Sequence, residues 1–152
     1  MFAAVRRVLA ILIAAGACHS EAAVPKLAEG AVRLETPRGP WVVRVEIAAN
    51  DADRARGLMF RRDLPHDRGM LFVFPTSEEH AFWMHNTLIG LDLIFLGEDR
   101  RVVGIVASAA PQTDTPRTVG KPSRYVLEVA AGEAAAHAVG PGVAAAFIDV
   151  PE

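Results

Sequence analysis

Short runs in which apolar and polar side chains alternate are the feature that most restricts how this chain can fold. In residues 41–47 every second side chain is apolar, whereas Arg44 and Glu46 belong to the other side of the run. This period of two is typical of a half-buried β-strand. Residues 124–129 show the same alternation. A chain organised around such runs folds mainly into β-sheet.

The remaining elements are short and separated by turn-forming residues. Asn50 or Asp51 can cap a helix that continues to Arg56 and ends at Gly57, and an alanine-rich helix is predicted for 133–139. Further strands are predicted for 31–34, 70–74, 81–85, 91–96, 101–107 and 143–150. We therefore expect a mostly β (α+β) fold: a small antiparallel, curled or barrel-like sheet with two short helices.

Residues 1–22 have the composition of a secretory signal peptide. Arg6 and Arg7 precede an apolar run over residues 8–17, and small residues follow. The apolar run is shorter than the roughly 20 residues of a membrane-spanning helix. Cleavage after Ala22 and lipid attachment at Cys18 are both open. We expect an exported protein of the periplasm or envelope, whose only membrane attachment would be a lipid on Cys18.

The rest of the chain has the length of one domain. Residues 23–40 are interpreted as a linker with an irregular first strand, and residues 41–150 as a single β-rich domain. Cys18 is the chain's single cysteine, so the domain has neither a disulfide nor a thiol nucleophile. Residues 108–123 contain three prolines, and such a long connection is either a binding loop or a plain surface loop.

Charge argues against a nucleic-acid partner. The net charge is −2 at pH 7, and the basic residues are interspersed with acidic ones rather than gathered on one segment. The partners left open are a small polar ligand and a protein of the cell envelope.

Four ordered segments resemble one prokaryotic family. They are GLMFR at 57–61, GMLF at 69–72, FWMHNT at 82–87 and LDLIF at 91–95, and a fifth, RYVLEV at 124–129, agrees with it. On these segments the chain resembles domain of unknown function 192, although His85 and Gly90 stand where that family usually has lysine and proline. The resemblance implies a compact, β-rich, often exported domain, and it supplies no catalytic residue.

Polar residues between two apolar strands suggest a ligand site. Asn86, Thr87 and Asp92 flank a short connection that would bring two strand ends together, with Trp83 and Glu128 as further candidates. The alternative is that Asp92 satisfies turn amides or pairs with an arginine, because buried carboxylates usually have partners. On the ligand hypothesis, replacing Asp92 by Asn would leave stability unchanged or raised.

Two other classes of function remain open. Asp92 and Glu128 would be the carboxylate pair of a hydrolase if they met in a cleft, although the sequence lacks the usual nucleophile, zinc and nucleotide motifs. A soft cuprous ion would suit Met59, Met70, Met84 and His85. Since methionine is also a common core residue, we expect the domain to bind no metal. We expect no cofactor either. The leading hypothesis is a non-enzymatic binding domain.

Overall fold

The structure is a computed structural model that describes residues 26–151. The signal peptide predicted for residues 1–22, together with Cys18, lies outside the described residues. The elements are β1 (Ala28–Thr36), β2 (Gly39–Ala48), α1 (Asp51–Arg56), β3 (Arg68–Glu78), β4 (Leu91–Leu96), β5 (Val102–Ala109), β6 (Ser123–Ala130), α2 (Glu133–Ala136) and β7 (Ala145–Ile148).

The seven strands form one mixed sheet in the order β5-β4-β6-β3-β2-β1-β7. Five neighbouring pairs are antiparallel and one, β2 with β3, is parallel. The mostly β fold with two short helices is thus confirmed. The parallel pair departs from the expected antiparallel sheet because α1 and residues 57–67 carry the chain across before β3 starts, the long connection that parallel pairing requires.

The sheet is curled and does not close into a barrel. The ring of Tyr125 on β6 lies 4.8 Å from that of Phe147 on β7, although three strands separate β6 from β7 in the sheet order. At one corner the two edges touch, where the N–H of Val102 donates to the carbonyl of Val143 at 2.9 Å. Beyond that corner the ladder between the edge strands is incomplete.

Each face of the curled sheet carries its own apolar cluster. The inner cluster draws on both ends of the sheet order and includes Trp41, Leu71, Ile94 and Leu127. The outer cluster is built on β3, β4, β5 and β6 and includes Met70, Phe72, Met84, Leu93, Phe95 and Val126. Because side chains alternate between faces, β4, residues 69–73 of β3 and residues 125–129 of β6 are buried on both sides of the sheet.

Two crossing connections cover the outer face. The first contains α1 and residues 57–67, which place Leu58 and Leu64 against the outer cluster. The second, residues 79–90, must pass over β6, because β6 lies between β3 and β4. The strand predicted for 81–85 is therefore wrong: β6 already occupies the edge of β3, and only Phe82 forms a bridge, with Arg117.

Of the predictions for the first elements of the chain, the helix is confirmed and the irregular strand is wrong. The helix at 51–56 is confirmed, with the Asn50 side chain accepting from the Asp53 N–H and with Gly57 at its end. The irregular first strand was wrong: β1 is a regular nine-residue strand paired with β2 along its whole length. Within residues 26–151, neither helix has the length and apolar character needed to cross a membrane.

Candidate functional site

Glu128 is a carboxyl group buried in the middle of the sheet. It lies on β6 and faces the outer side, opposite Met70 of β3 and Leu93 of β4. The residue is 4% exposed. Among the described residues, no group forms a hydrogen bond or ion pair with its carboxyl oxygens. Since buried carboxyl groups nearly always have partners, an unpartnered one is a candidate for contact with a ligand.

The side chain opens into a hollow between the two crossing connections, which we name the Glu128 pocket. Its volume is about 290 Å³, at the small end of the range for ligand sites. One wall is residues 54–59 and the other is residues 80–83. Four aromatic side chains contribute to it: Phe72, Phe74, Phe82 and Trp83.

The aromatic walls are fixed by mutual packing. The rings of Phe72 and Phe82 meet edge to face with centroids 5.0 Å apart, and Phe82 meets Phe95 in the same way at 5.7 Å. Such arrangements are favourable beyond the area they bury. Trp83, by contrast, is 56% exposed, so it forms an open rim to which a ligand can add contacts.

Burial determines the protonation state of the Glu128 carboxyl group. Desolvation by burial raises the pKa of Glu128 to about 8. At neutral pH the side chain is therefore mainly a neutral carboxylic acid. A neutral carboxylic acid can donate one hydrogen bond as well as accept others, which a carboxylate cannot do.

His80 gives the same wall a second neutral group. Its ring stacks on Phe74 with centroids 3.6 Å apart, and its Nε2 atom is buried without a hydrogen bond. Burial lowers the pKa of His80, although the nearby Glu78 charge opposes this shift. The imidazole is therefore uncharged at neutral pH.

The two arginines that border the pocket differ in whether their guanidinium groups already form hydrogen bonds within the protein. Arg54 is committed to the protein, since its guanidinium donates to the carbonyls of Ala49 at 2.6 Å and Val73 at 2.7 Å. Arg56 also borders the pocket, and no other described residue forms a hydrogen bond or ion pair with its guanidinium. It is thus the cation available at this rim.

A larger groove adjoins the pocket. It measures about 1040 Å³ and shares Arg56, Gly57 and Met59 with it. The partition is residues 57–60, where Gly57 and Phe60 both have positive φ angles, 47° and 65°. A positive φ is strained for phenylalanine, and the Phe60 N–H is held by the Asn86 carbonyl at 2.8 Å. Strained backbone of this kind often lies at ligand sites.

The sequence profile of domain of unknown function 192, described as "Uncharacterized ACR", matches residues 31–147. The chain belongs to this family. The match covers most of the described residues and confirms the resemblance found in the sequence. Among curated proteins, none matches the chain.

Two solved structures share the fold of this DUF192 domain. A protein of unknown function from Novosphingobium aromaticivorans DSM 12444 is 40% identical, with a TM-score of 0.74 over 76% of this chain and 83% of that one. A protein from Sinorhizobium meliloti 1021, provisionally described as a transcription regulator, is 33% identical, with a TM-score of 0.79 over 84% of this chain and 99% of that one.

The structure brings together two of the five residues predicted for the ligand site of this DUF192 domain. Trp83 and Glu128 both border the Glu128 pocket. Asn86 contributes its backbone carbonyl to the partition. Thr87 is 5% exposed and serves its own turn, since its hydroxyl donates to the His85 carbonyl at 3.3 Å.

Asp92 is separated from the pocket. It faces the inner side of the sheet, and its carboxylate accepts three backbone N–H groups: Ser108 at 2.7 Å, Gly132 at 2.9 Å and Ala134 at 2.9 Å. The proposed ligand role of Asp92 is thus corrected to a structural one. The carboxylate pair of the hydrolase hypothesis is not assembled either, because Glu128 faces the outer side.

The methionine and histidine set for a cuprous ion is dispersed. Met70 and Met84 are 1% and 0% exposed within the outer cluster, where they fill the core. Met59 lies in the partition. His85 is at the surface, with its Nδ1 atom 2.7 Å from a carboxylate oxygen of Asp114. The imidazole is therefore directed toward Asp114 and not into the apolar cluster that holds Met84.

Residues 108–123, for which a binding loop and a plain surface loop were both open, form hydrogen bonds to the 80–83 wall and the residues after it. The N–H of Phe82 donates to the Arg117 carbonyl at 2.9 Å, and the N–H of Met84 donates to the Thr113 carbonyl at 2.9 Å. Although residues 108–123 are all described, none of them borders the Glu128 pocket. The loop thus fixes the 82–87 segment and does not cover the pocket.

Sequence reasoning missed His80, Arg56 and the phenylalanines of the pocket. Nothing in the sequence around His80 shows that the chain crosses β6 there. One available signal was Glu128 itself, a carboxylate within a run whose other residues from 125 to 129 are apolar. A strand buried on both faces leaves no solvent for such a group.

Proposed function

We propose that this DUF192 domain is an exported, non-enzymatic binding protein for a small anionic molecule with an apolar body. The observation that carries the proposal is the buried Glu128 carboxyl group, which has no hydrogen-bond or ion-pair partner within residues 26–151 and opens into a pocket with aromatic walls. Export is inferred from the composition of residues 1–22.

The chemistry of the ligand's polar group is inferred from two side chains at the pocket, Glu128 and Arg56. A protonated Glu128 offers a hydrogen-bond donor, so the ligand must offer an acceptor. The guanidinium of Arg56 at the rim favours a negatively charged acceptor, and guanidinium groups pair especially well with carboxylates. A small carboxylate meets both requirements.

The ligand's apolar part follows from the walls. Aromatic rings contribute most of the pocket's lining between Phe72 and Trp83, and a volume of about 290 Å³ accommodates one ring or a branched aliphatic group. Burying an aromatic or aliphatic body against these rings supplies the hydrophobic part of the binding energy.

The proposal includes no nucleic-acid partner, although the relative from Sinorhizobium meliloti is provisionally described as a transcription regulator. In helix-turn-helix regulators a recognition helix enters the major groove. The helices described in this chain have six and four residues, and the net charge is negative. These features favour a small ligand over DNA.

Binding of three probes of one shape tests the proposal. Benzoate, benzamide and benzylamine share a ring and differ in charge, so we expect benzoate to bind most tightly and benzylamine least. Trp83 is exposed at the rim and provides a fluorescence signal, with isothermal titration calorimetry as the independent measurement. The affinity for benzoate should fall as the pH rises through about 8, since ionised Glu128 repels the ligand.

Substitutions at Glu128 and Arg56 test whether benzoate binds in the Glu128 pocket. Glu128→Gln keeps an N–H donor and should retain benzoate binding while removing its pH dependence, whereas Glu128→Leu should abolish binding. Arg56→Gln should weaken binding about threefold, because an exposed ion pair is worth about 0.6 kcal/mol. Arg38→Gln, away from the pocket, is the matched control. Equal affinity for the three probes, or binding unaffected by Glu128→Leu, would reject the proposal.

A further inference from the structure

A second cluster of polar side chains lies between the turn before β3 and helix α2. Asp67, Glu133 and His137 each contribute one potential metal-ligand atom, and these three atoms lie within 4.8 Å of one another. His66 adjoins them, with its Nδ1 atom 2.6 Å from Oε1 of Glu133. Oε2 of the same carboxylate lies 3.6 Å from Nε2 of His137. Glu133 therefore links the two imidazoles.

Local structure brings these groups together in two pairs. Glu133 and His137 are four residues apart around α2, which puts both side chains on one face of that turn. His66 and Asp67 occupy a tight turn, in which the Arg68 N–H donates to the Pro65 carbonyl at 3.1 Å. The backbone carbonyl of Asp67 is held in turn by an N–H of β2.

Trp41 fixes the orientation of two members of the cluster. Its indole N–H donates to Oδ1 of Asp67 at 2.8 Å. Its ring stacks on His137 with centroids 4.2 Å apart and an angle of 7° between the planes. Trp41 is 3% exposed, so it is a rigid support. Metal ligands in proteins are commonly oriented by outer groups of this kind.

Helix α2 is itself anchored from the sheet. The N–H groups of Gly132 and Ala134 both donate to Oδ2 of Asp92, which caps a helix that lacks a capping side chain of its own. The side chain of Glu133 is only 12% exposed, which places a carboxylate largely out of water. Anchoring and burial preorganise Glu133, and the Trp41 contacts orient Asp67 and His137, whereas the side chain of His66 is 88% exposed at the surface.

We propose that Asp67, Glu133 and His137 bind a divalent transition-metal ion, with His66, whose side chain is 88% exposed beside Glu133, completing the set from the solvent side. Two imidazoles and two carboxylates match the nitrogen and oxygen donors of four-coordinate Zn²⁺ sites. Mg²⁺ and Ca²⁺ prefer six or more oxygen ligands, so imidazole nitrogens favour Zn²⁺ or a neighbouring transition metal. This proposal departs from the sequence-based expectation of no metal, and it uses none of the methionines considered there.

Titration of the chelator-treated protein with Zn²⁺, in competition with a chromophoric chelator, tests the site. We expect one equivalent to bind. His137→Gln and Asp67→Asn should each weaken binding at least tenfold. Trp41→Phe, which keeps an aromatic ring but removes the indole N–H, should weaken it about tenfold, the usual size of an outer-group effect.

The chain supplies a matched control. His85 is also paired with a carboxylate, Asp114, at 2.7 Å and at the surface, so His85→Gln removes a His–carboxylate pair outside the cluster and should leave the affinity unchanged. Titration of wild-type protein with Co²⁺ needs no variant, and we expect the visible absorption of a coordinated ion. Failure of the wild type to take up either metal, or equal loss in His85→Gln and His137→Gln, would overturn the inference.

Discussion

Asp92 and Glu128 lie on adjacent strands but on opposite faces of the sheet. In the antiparallel register Asp92 pairs with Val129, whereas Glu128 pairs with Leu93. Directly paired residues share a face, so this offset of one residue sends one carboxyl group into the inner side of the curl and the other into the outer side. The two buried acids therefore have separate roles: Asp92 holds backbone together, and Glu128 opens into a pocket.

Replacing Asp92 by Asn should destabilise the fold by about 1 to 3 kcal/mol, because an amide cannot accept from all three N–H groups that the carboxylate satisfies. This reverses the neutral or stabilising effect that the ligand hypothesis predicts. Chemical denaturation gives the answer, provided the slope with denaturant is unchanged. Asp63→Asn, an exposed change, is the control, and an unchanged midpoint for Asp92→Asn would refute the structural role.

Stability should fall as the pH rises from about 5 to about 8, because of Glu128. Burial raises its pKa from the ordinary 4.5 to about 8 in the folded state, so between these values the folded chain retains a proton that the unfolded chain has released. The stabilisation is fully present below the unfolded pKa and is lost as the pH rises through the folded one, with a slope of up to about 1.4 kcal/mol per pH unit.

Glu128→Gln isolates this contribution, since glutamine does not titrate. The free energy of unfolding should be measured for both proteins across that pH window. The wild-type value minus the variant value should become steadily less positive, or more negative, as the pH rises. Other titrating groups, including His80, contribute equally to both proteins and cancel. Parallel pH profiles would mean that Glu128 does not hold its proton in the folded state.

Met84 should behave as a core residue. Met84→Ala would leave a cavity in the outer cluster, where the side chain is fully buried, and should cost about 2 to 5 kcal/mol. Met84→Leu conserves volume and should cost less than about 1.5 kcal/mol. Thermal and chemical denaturation distinguish the two. A similar loss in both variants would point to a requirement for the thioether sulfur.

Gly69→Ala should destabilise the sheet by about 1 to 3 kcal/mol, through overpacking. A Cβ atom at Gly69 would lie 2.3 Å from the backbone carbonyl oxygen of Glu128, and neither strand can shift without disturbing its ladder. Gly140→Ala is the control, since nothing lies within 4 Å of a Cβ there. Equal melting temperatures for the two variants would contradict the close packing of β3 on β6.

The intact mass of the protein expressed in a bacterial host tests export. We expect residues 1–17 at least to be absent, because the charged, apolar and small-residue segments occur in processing order. A lipid adduct on Cys18 would identify a lipoprotein, and a mass without residues 1–22 would identify simple cleavage. A mass that still includes residues 1–17 would contradict the prediction.

Local patterns in the sequence were sufficient for the elements that depend on neighbouring residues. The cap at Asn50 and the end of α1 at Gly57 follow from side chain–backbone bonds and backbone preferences, and the strand at 91–96 follows from a short apolar run ended by turn residues. The family was also evident from short ordered segments. These features need no information about distant parts of the chain.

Tertiary structure alone decided the sites, because strand order is set by packing over long sequence distances. The position of β6 between β3 and β4 forces residues 79–90 across the outer face, which buries Glu128 beneath His80 and Phe82. The pairing of β4 with β6 brings Asp92 to the start of helix α2, where it accepts from Gly132 and Ala134, 40 and 42 residues further along the chain. The sequence determined that these carboxyl groups would be buried, whereas the register determined which one has partners, since a shift of one residue exchanges the faces.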